Sequence, residues 1–233
     1  PSSAQTIYVG NTVTLSATGY ATYWKDINGS QSSYKYNEEN EGAQTCDWST
    51  SDSNTASISS SSASSITVTG KNGKSDGTET TVAATITAKN TTYNSNGVTV
   101  TFNVRDKITS KFIGITSPSS AAAIYVGGTQ TYTAKKYHRI NNGTTNYDMG
   151  SGSISWSSSD TNVATISGAT ATGKAGKGDG TESTVSITIT ASCSGYTSAS
   201  QTLYVRDEIT YMLVLSPSSS NINVGATATF TPY

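Results

Sequence analysis

Apolar residues recur at every second position over several stretches of this chain. Val82, Ala84, Ile86 and Ala88 alternate with Thr or Ala, and Val98, Val100, Phe102 and Val104 alternate with Thr and Asn. Farther along, Val185, Ile187, Ile189 and Ala191 alternate with Ser or Thr, and Leu203 and Val205 continue the pattern. A period of two places one set of side chains on each face of an extended strand, so these segments predict strands with one buried and one wet face. Helical spacing is not sustained anywhere. No apolar run approaches the roughly 18 to 20 residues needed for a membrane-spanning helix.

The strand segments belong to a repeat. "IYVGNTVTLSA" from Ile7 recurs as "IYVGGTQTYTA" from Ile124 and, in part, as "INVGATATFTP" from Ile222. "WSTSDSNTASIS" from Trp48 returns as "WSSSDTNVATIS" from Trp156. "GKNGKSDGTETTVAATITA" from Gly70 matches "GKAGKGDGTESTVSITITA" from Gly173, and "VRDKIT" from Val104 matches "VRDEIT" from Val205. Four blocks in one order make the chain a tandem array. The first copy is longer before Trp48 and in the serine run near Ser59 to Ser65, which marks both places as loops. About seven short strands per copy, with turns every 8 to 12 residues, predict an antiparallel two-sheet sandwich.

The order "SPSS", "IxVGxT", "WSSSDTNVATIS", a Gly-rich turn and "VxITITA" resembles bacterial immunoglobulin-like domains of the second group. Its most specific stretch is Trp156 to Ser167, and it departs from the family in the longer turns "KNGKSDGTETT" and "KAGKGDGTEST". The resemblance implies an all-β fold of tandem immunoglobulin-like antiparallel β-sandwiches, as found in surface adhesins, in accessory modules of secreted enzymes and in phage virion proteins. The expected division is residues 1–107, residues 108–208, and residues 209–233 as the first strands of a truncated third repeat. The boundary between the first two is expected near Asp106 to Ser110, with a short linker free of Gly or Pro runs that limits bending.

The ends fall out of phase with the repeat. Copy two is preceded by "KFIGITSPSS", whereas copy one begins at "PSS" and is expected to lack the matching first strand. Two expectations follow: the chain is a window on a longer protein, or Tyr211 to Leu215 pairs into the edge of another molecule's first copy by strand addition.

Composition narrows the function classes. Only 12% of residues are charged, 33% are hydrophobic, and the formal net charge is −1 with a pI near 5.8, so the chain as a whole has no electrostatic footprint for nucleic acid or an anionic membrane. Disorder is excluded by the register of the apolar positions. Catalysis has no constellation to stand on, because the single His138 has no partnered Ser or Cys motif and the carboxylates cluster on turns. No cofactor is expected.

Trp48 and Trp156 occupy equivalent positions and are expected to anchor the two cores rather than to stack on sugars. Cys46 matches Ile154 and Cys193 matches Asn90, so no disulfide within a domain is expected, and two cysteines with one histidine cannot make a four-ligand zinc site. Asp76 with Glu79, and Asp179 with Glu182, read first as Asp-Gly turns and second as weak calcium candidates. Before Trp48, the segment Gly19 to Gln44 carries Tyr20, Tyr23, Trp24, Tyr34 and Tyr36 among Asn, Ser and Gly; the equivalent stretch before Trp156 carries Tyr137, His138, Arg139 and Tyr147. Such loops resemble binding paratopes. They equally suit rings that pack a loop onto its own sandwich or a neighbour. The expected partners are neighbouring repeats, with a surface glycan or protein receptor as the further candidate.

The leading functional expectation is an extracellular, non-catalytic spacer or adhesion module of a bacterial surface protein. A phage virion decoration or tail-associated protein, and a carbohydrate-binding accessory module of a secreted enzyme, stand as alternatives.

Overall fold

The computed structural model describes residues 3–24, 35–212, 215–216, 221, 223–229 and 231–232, and the side chains of 23–24, 35–37, 215–216 and 231–232 lie outside that description. The described residues contain strands and turns and no helix. Two compact units form: Pro1–Phe112 with Lys136–Gly150, and Ile113–Lys135 with Ser151–Tyr233. The compact units and the sequence repeats are thus different divisions of the chain, since Lys136–Gly150 belongs to the second repeat in sequence and to the first unit in space.

The strands of the first repeat are β1 (Gln5–Tyr8), β2 (Thr12–Ser16), β3 (Thr18–Trp24), β4 (Lys35–Ala43), β5 (Cys46–Thr50), β6 (Ala56–Ile58), β7 (Ser62–Ala63), β8 (Ser65–Gly70), β9 (Thr81–Asn90) and β10 (Asn94–Arg105). One sheet has the order β1-β10-β9-β5-β7, and a second has the order β2-β8-β6. The alternation read from the sequence sets the register. Ile86 pairs with Val100, Ala84 with Phe102 and Val82 with Val104, so apolar side chains meet apolar side chains across the β9–β10 ladder. From the facing sheet, Leu15, Ile66 and Val68 join Trp48, Ile86, Phe102 and Val104 in one buried cluster. Each large apolar side chain buried there stabilises the fold by about 1.5 to 3 kcal/mol.

In the second repeat come β11 (Ile108–Ser117), β12 (Ala122–Tyr125), β13 (Thr129–Thr131), β14 (Thr133–Ile140), β15 (Tyr147–Asp148), β16 (Ser155–Ser158), β17 (Ala164–Ser167), β18 (Thr170–Gly173), β19 (Thr184–Ser192) and β20 (Ala199–Arg206). The second unit repeats the layers of the first. Its sheets have the orders β12-β20-β19-β16 and β13-β18-β17, with Ile124, Tyr132, Ile187, Ile189, Leu203 and Val205 buried between them.

One pairing departs from the antiparallel rule in both repeats. β1 runs parallel to β10, with Gln5 opposite Phe102 and Tyr8 opposite Arg105. Likewise β12 runs parallel to β20, with Ala122 opposite Leu203 and Tyr125 opposite Arg206. An early strand and the last strand of each repeat are therefore neighbours pointing the same way, with β11 preceding β12 in the second repeat. At the end of each ladder an arginine closes on a tyrosine ring. The guanidinium carbon of Arg105 sits 4.3 Å from the ring centre of Tyr8, and that of Arg206 sits 4.2 Å from Tyr125. A cation over a ring is attracted by its quadrupole.

Candidate functional site

The most elaborate polar structure in the first unit surrounds Asp106, the residue that follows β10. A buried carboxylate must be hydrogen-bonded or it is expensive, and Asp106 is fully buried at 0% exposure. Its Oδ2 accepts from the backbone N–H of Ser75 at 2.7 Å, and its Oδ1 accepts from the side-chain amide of Asn141 at 2.6 Å. Gly73 makes the first contact possible, since a Cβ there would lie 2.5 Å from the Asp106 nitrogen. Asn141 has a positive φ of 52°, a conformation that asparagine tolerates better than most residues. It also clasps residue 107: Lys107 donates its N–H to Oδ1 of Asn141, and Asn141 donates its own N–H to the Lys107 carbonyl, both at 2.9 Å.

The turn Lys74–Thr80 completes the arrangement. Asp76 accepts from the N–H and the hydroxyl of Thr78, and these bonds, helped by Lys74, hold its carboxyl at a pKa of about 2. Gly77 takes a φ of +81° and is buried beneath Tyr147, whose Cβ would be 2.4 Å from any Cβ at position 77. The Gly77 carbonyl meets Nδ1 of the buried His138 at 2.8 Å. Glu79 turns its Oε1 to the N–H of Ile108 at 3.0 Å. Phe112 stacks on Tyr137 with ring centres 5.5 Å apart, and the guanidinium carbon of Arg139 lies 4.9 Å from the Phe112 ring centre.

A second feature of the first unit is a groove of about 540 Å³ lined by Leu15, Ala17, Tyr20, Trp48, Ala88 and Val98 among others. Tyr20 and Val98 are exposed at its rim, at 54% and 60%. In the second unit, Ile113 is buried with Ala134 and Ala191, the counterparts of Ala17 and Ala88, and Ile115 and Trp156 pack against that cluster.

The residues singled out from the sequence fall in several places. Trp48 is 7% exposed in the first core and donates its indole N–H to the Ala63 carbonyl at 2.8 Å. Trp156 is half-buried and tilts against Tyr132 at 5.5 Å. Tyr137 lies on β14 and Tyr147 on β15, in the hairpin seated at Asp106, while Tyr20 lies on β3. Tyr34 lies outside the described residues, as do the side chains of Tyr23, Trp24 and Tyr36. In the tail, Tyr211 and Met212 are exposed, and Leu213 and Val214 lie outside the described residues. Cys46 is buried, which raises its thiol pKa, with Asp47 adding to the shift.

Asp179 repeats the turn chemistry of Asp76. It accepts from Thr181, pairs with Lys177 and is likewise held at about 2. Among the described residues, no group of three or more His, Cys, Asp or Glu side chains is placed to hold a metal ion. Asp106 and Asn141 were not legible as partners. The one signal was the repeated "VRD", which ends an apolar strand on a charged residue in both copies.

No family model matches the chain, and no curated protein matches it. Among solved structures it is similar to the protocadherin gamma B7 extracellular cadherin domains 1–4, with a TM-score of 0.49 and 10% identity over 97% of this chain and 55% of that one. It is also similar to Drosophila N-cadherin EC1-4, with a TM-score of 0.49 and 15% identity over 75% of this chain and 44% of that one. The chain thus spans about half the length of these structures. The fold is that of tandem immunoglobulin-like β-sandwiches.

Proposed function

We propose that this chain is a non-catalytic, tension-bearing spacer from an extracellular array of bacterial immunoglobulin-like domains of the second group, displayed on a bacterial surface. The observation that carries this reading is the parallel pairing of β1 with β10 and of β12 with β20. In the first repeat a pull along the chain enters β1 at its start and leaves at the end of its parallel neighbour β10, and in the second repeat β12 and β20, which follow β11, stand in the same relation. Tension along the chain therefore pulls the two strands in opposite directions and loads all the ladder hydrogen bonds at once in shear. Antiparallel neighbours joined at one end would instead open one bond at a time.

The bacterial assignment is supported by the motif order around Trp156 to Ser167, and the non-catalytic reading by carboxylates engaged in their own turns. Exposure of Tyr20 at the rim of an apolar groove favours a second role as a contact surface for a glycan or protein. Saturable binding that Tyr20→Ala abolishes at an unchanged Tm would establish that role.

Single-molecule pulling tests the spacer reading. Handles at the two chain ends shear the β1–β10 ladder, whereas handles at Ala4 and Thr101, beside the Gln5–Phe102 pair, unzip it. The spacer reading expects a clearly higher unfolding force for the first unit in the end-to-end geometry, and equal forces would refute it.

A further inference from the structure

The two repeats carry the same polar surface at the end of their last strand, and the two copies differ in what lies on it. In the first unit the surface consists of the turn Lys74–Glu79 with Asp106 and Lys107, and the hairpin segment Lys136–Gly150 is seated on it through Asn141, His138 and Tyr147. In the second unit the corresponding surface is the turn Lys177–Glu182 with Asp207 and Glu208. Its internal geometry is the same. Gly178 donates its N–H to Oδ2 of Asp207 at 2.7 Å, as Ser75 does to Asp106, and Gly176 approaches Asp207 as Gly73 approaches Asp106, a Cβ there falling 2.5 Å from the Asp207 nitrogen.

Accessibility separates the two copies. Gly77 is buried and Asp106 fully so, whereas Gly180 is exposed and Asp207 only half-buried. A Cβ at Gly77 would strike Tyr147, and one at Gly180 would meet nothing within 4 Å. The second surface thus keeps the shape of an occupied one, down to the positive φ of 73° at Gly180.

We propose that the surface formed by Lys177–Glu182, Asp207 and Glu208 is a receiving site for a hairpin of the Lys136–Gly150 kind, presented by a further copy of this repeat. Recognition would use three groups. An asparagine in a left-handed turn bridges the Asp207 carboxylate and the backbone of Glu208. An imidazole on the preceding strand meets the Gly180 carbonyl. A tyrosine covers the bare Cα of Gly180, as Tyr147 covers that of Gly77. This inference does not depend on the chain bearing load.

The test is a nuclear magnetic resonance titration of the intact chain with a backbone-cyclised peptide of residues 136–150. The expected result is a set of saturable shifts at the amides of Gly178, Gly180 and Glu208, lost with the peptide variant Asn141→Ala. Equal shifts with that variant would overturn the proposal. Because an isolated hairpin is only marginally ordered, a second measurement uses a chain in which a copy of residues 108–206 follows Glu208. Amide exchange at Gly178 and Gly180 should then slow to the rate of Ser75 and Gly77. Unchanged exchange in that extended chain would overturn the proposal whatever the peptide does.

Discussion

The side-chain amide of Asn141 lies 2.6 Å from Oδ1 of Asp106, a carboxylate with 0% exposure. A residue of the second repeat thereby completes the hydrogen bonding of a buried charge at the end of the first. Removing one partner of such a group leaves the other desolvated and unpaired, which is more expensive than the bond itself is worth. Asn141→Gly keeps the positive φ and deletes the amide. It should destabilise the first unit by about 1.5 to 3 kcal/mol, read from hydrogen exchange at the Phe102 amide. A change within about 0.5 kcal/mol, typical of an ordinary surface substitution, would show that the contact contributes little.

Gly77 and Gly180 are equivalent in sequence and share a positive φ, yet their surroundings differ. An alanine at either pays the left-handed penalty of about 1 to 2 kcal/mol. At position 77 it must also displace Tyr147, whose Cβ would be 2.4 Å away. Gly77→Ala should therefore lower the melting temperature more than Gly180→Ala does, and should move the Tyr147 ring resonances. Equal effects would mean that the hairpin yields without resistance.

The two tryptophans should separate in the same way. Trp48→Ala empties a buried aromatic site and orphans the Ala63 carbonyl, for an expected loss of about 3 to 5 kcal/mol. Trp156 is half-buried, so Trp156→Ala should be milder. Denaturant unfolding of both variants checks the order.

Acid should act on the two Asp-Gly turns alike. Asp76 and Asp179 are held at about 2, against an ordinary value of 3.8, chiefly by hydrogen bonds from Thr78 and Thr181. A carboxyl depressed in the folded state binds its proton more readily when unfolded. Its contribution is therefore complete above about pH 4 and is lost as the pH falls toward 2. Carboxyl carbon titrations should give midpoints near 2 for both residues, and Thr78→Ala or Thr181→Ala should return the respective midpoint toward 3.8. Unmoved midpoints would assign the shift to the lysines instead.

Much of the fold was legible because it is periodic. Alternation in Val82–Ala88 and Val98–Val104 determines which faces meet, and the β9–β10 register follows from it. The seating of Lys136–Gly150 was not legible, for a physical reason. Asn141, His138 and Tyr147 sit in a loop that differs between the copies, so neither periodicity nor repeat comparison marks them. Their partners, Asp106 and Gly77, are distant in sequence, and nothing local in "VRD" or "DGTE" says which side chain will reach them. Parallel pairing of β1 with β10 was equally hidden, since alternation fixes a strand's faces and leaves its direction open.

The most direct measurement removes ladder bonds and reads force. Val9 donates its N–H to the Arg105 carbonyl at 3.0 Å, and Val126 donates to Arg206 at 2.9 Å, each closing the parallel ladder of its repeat. Proline at either position deletes that donor. With the chain held at both ends, Val9→Pro should lower the unfolding force of the first unit alone, and Val126→Pro that of the second alone. Unfolding forces that stay unchanged in both variants would contradict a sheared parallel clamp and, with it, the account of this chain as a tension-bearing spacer.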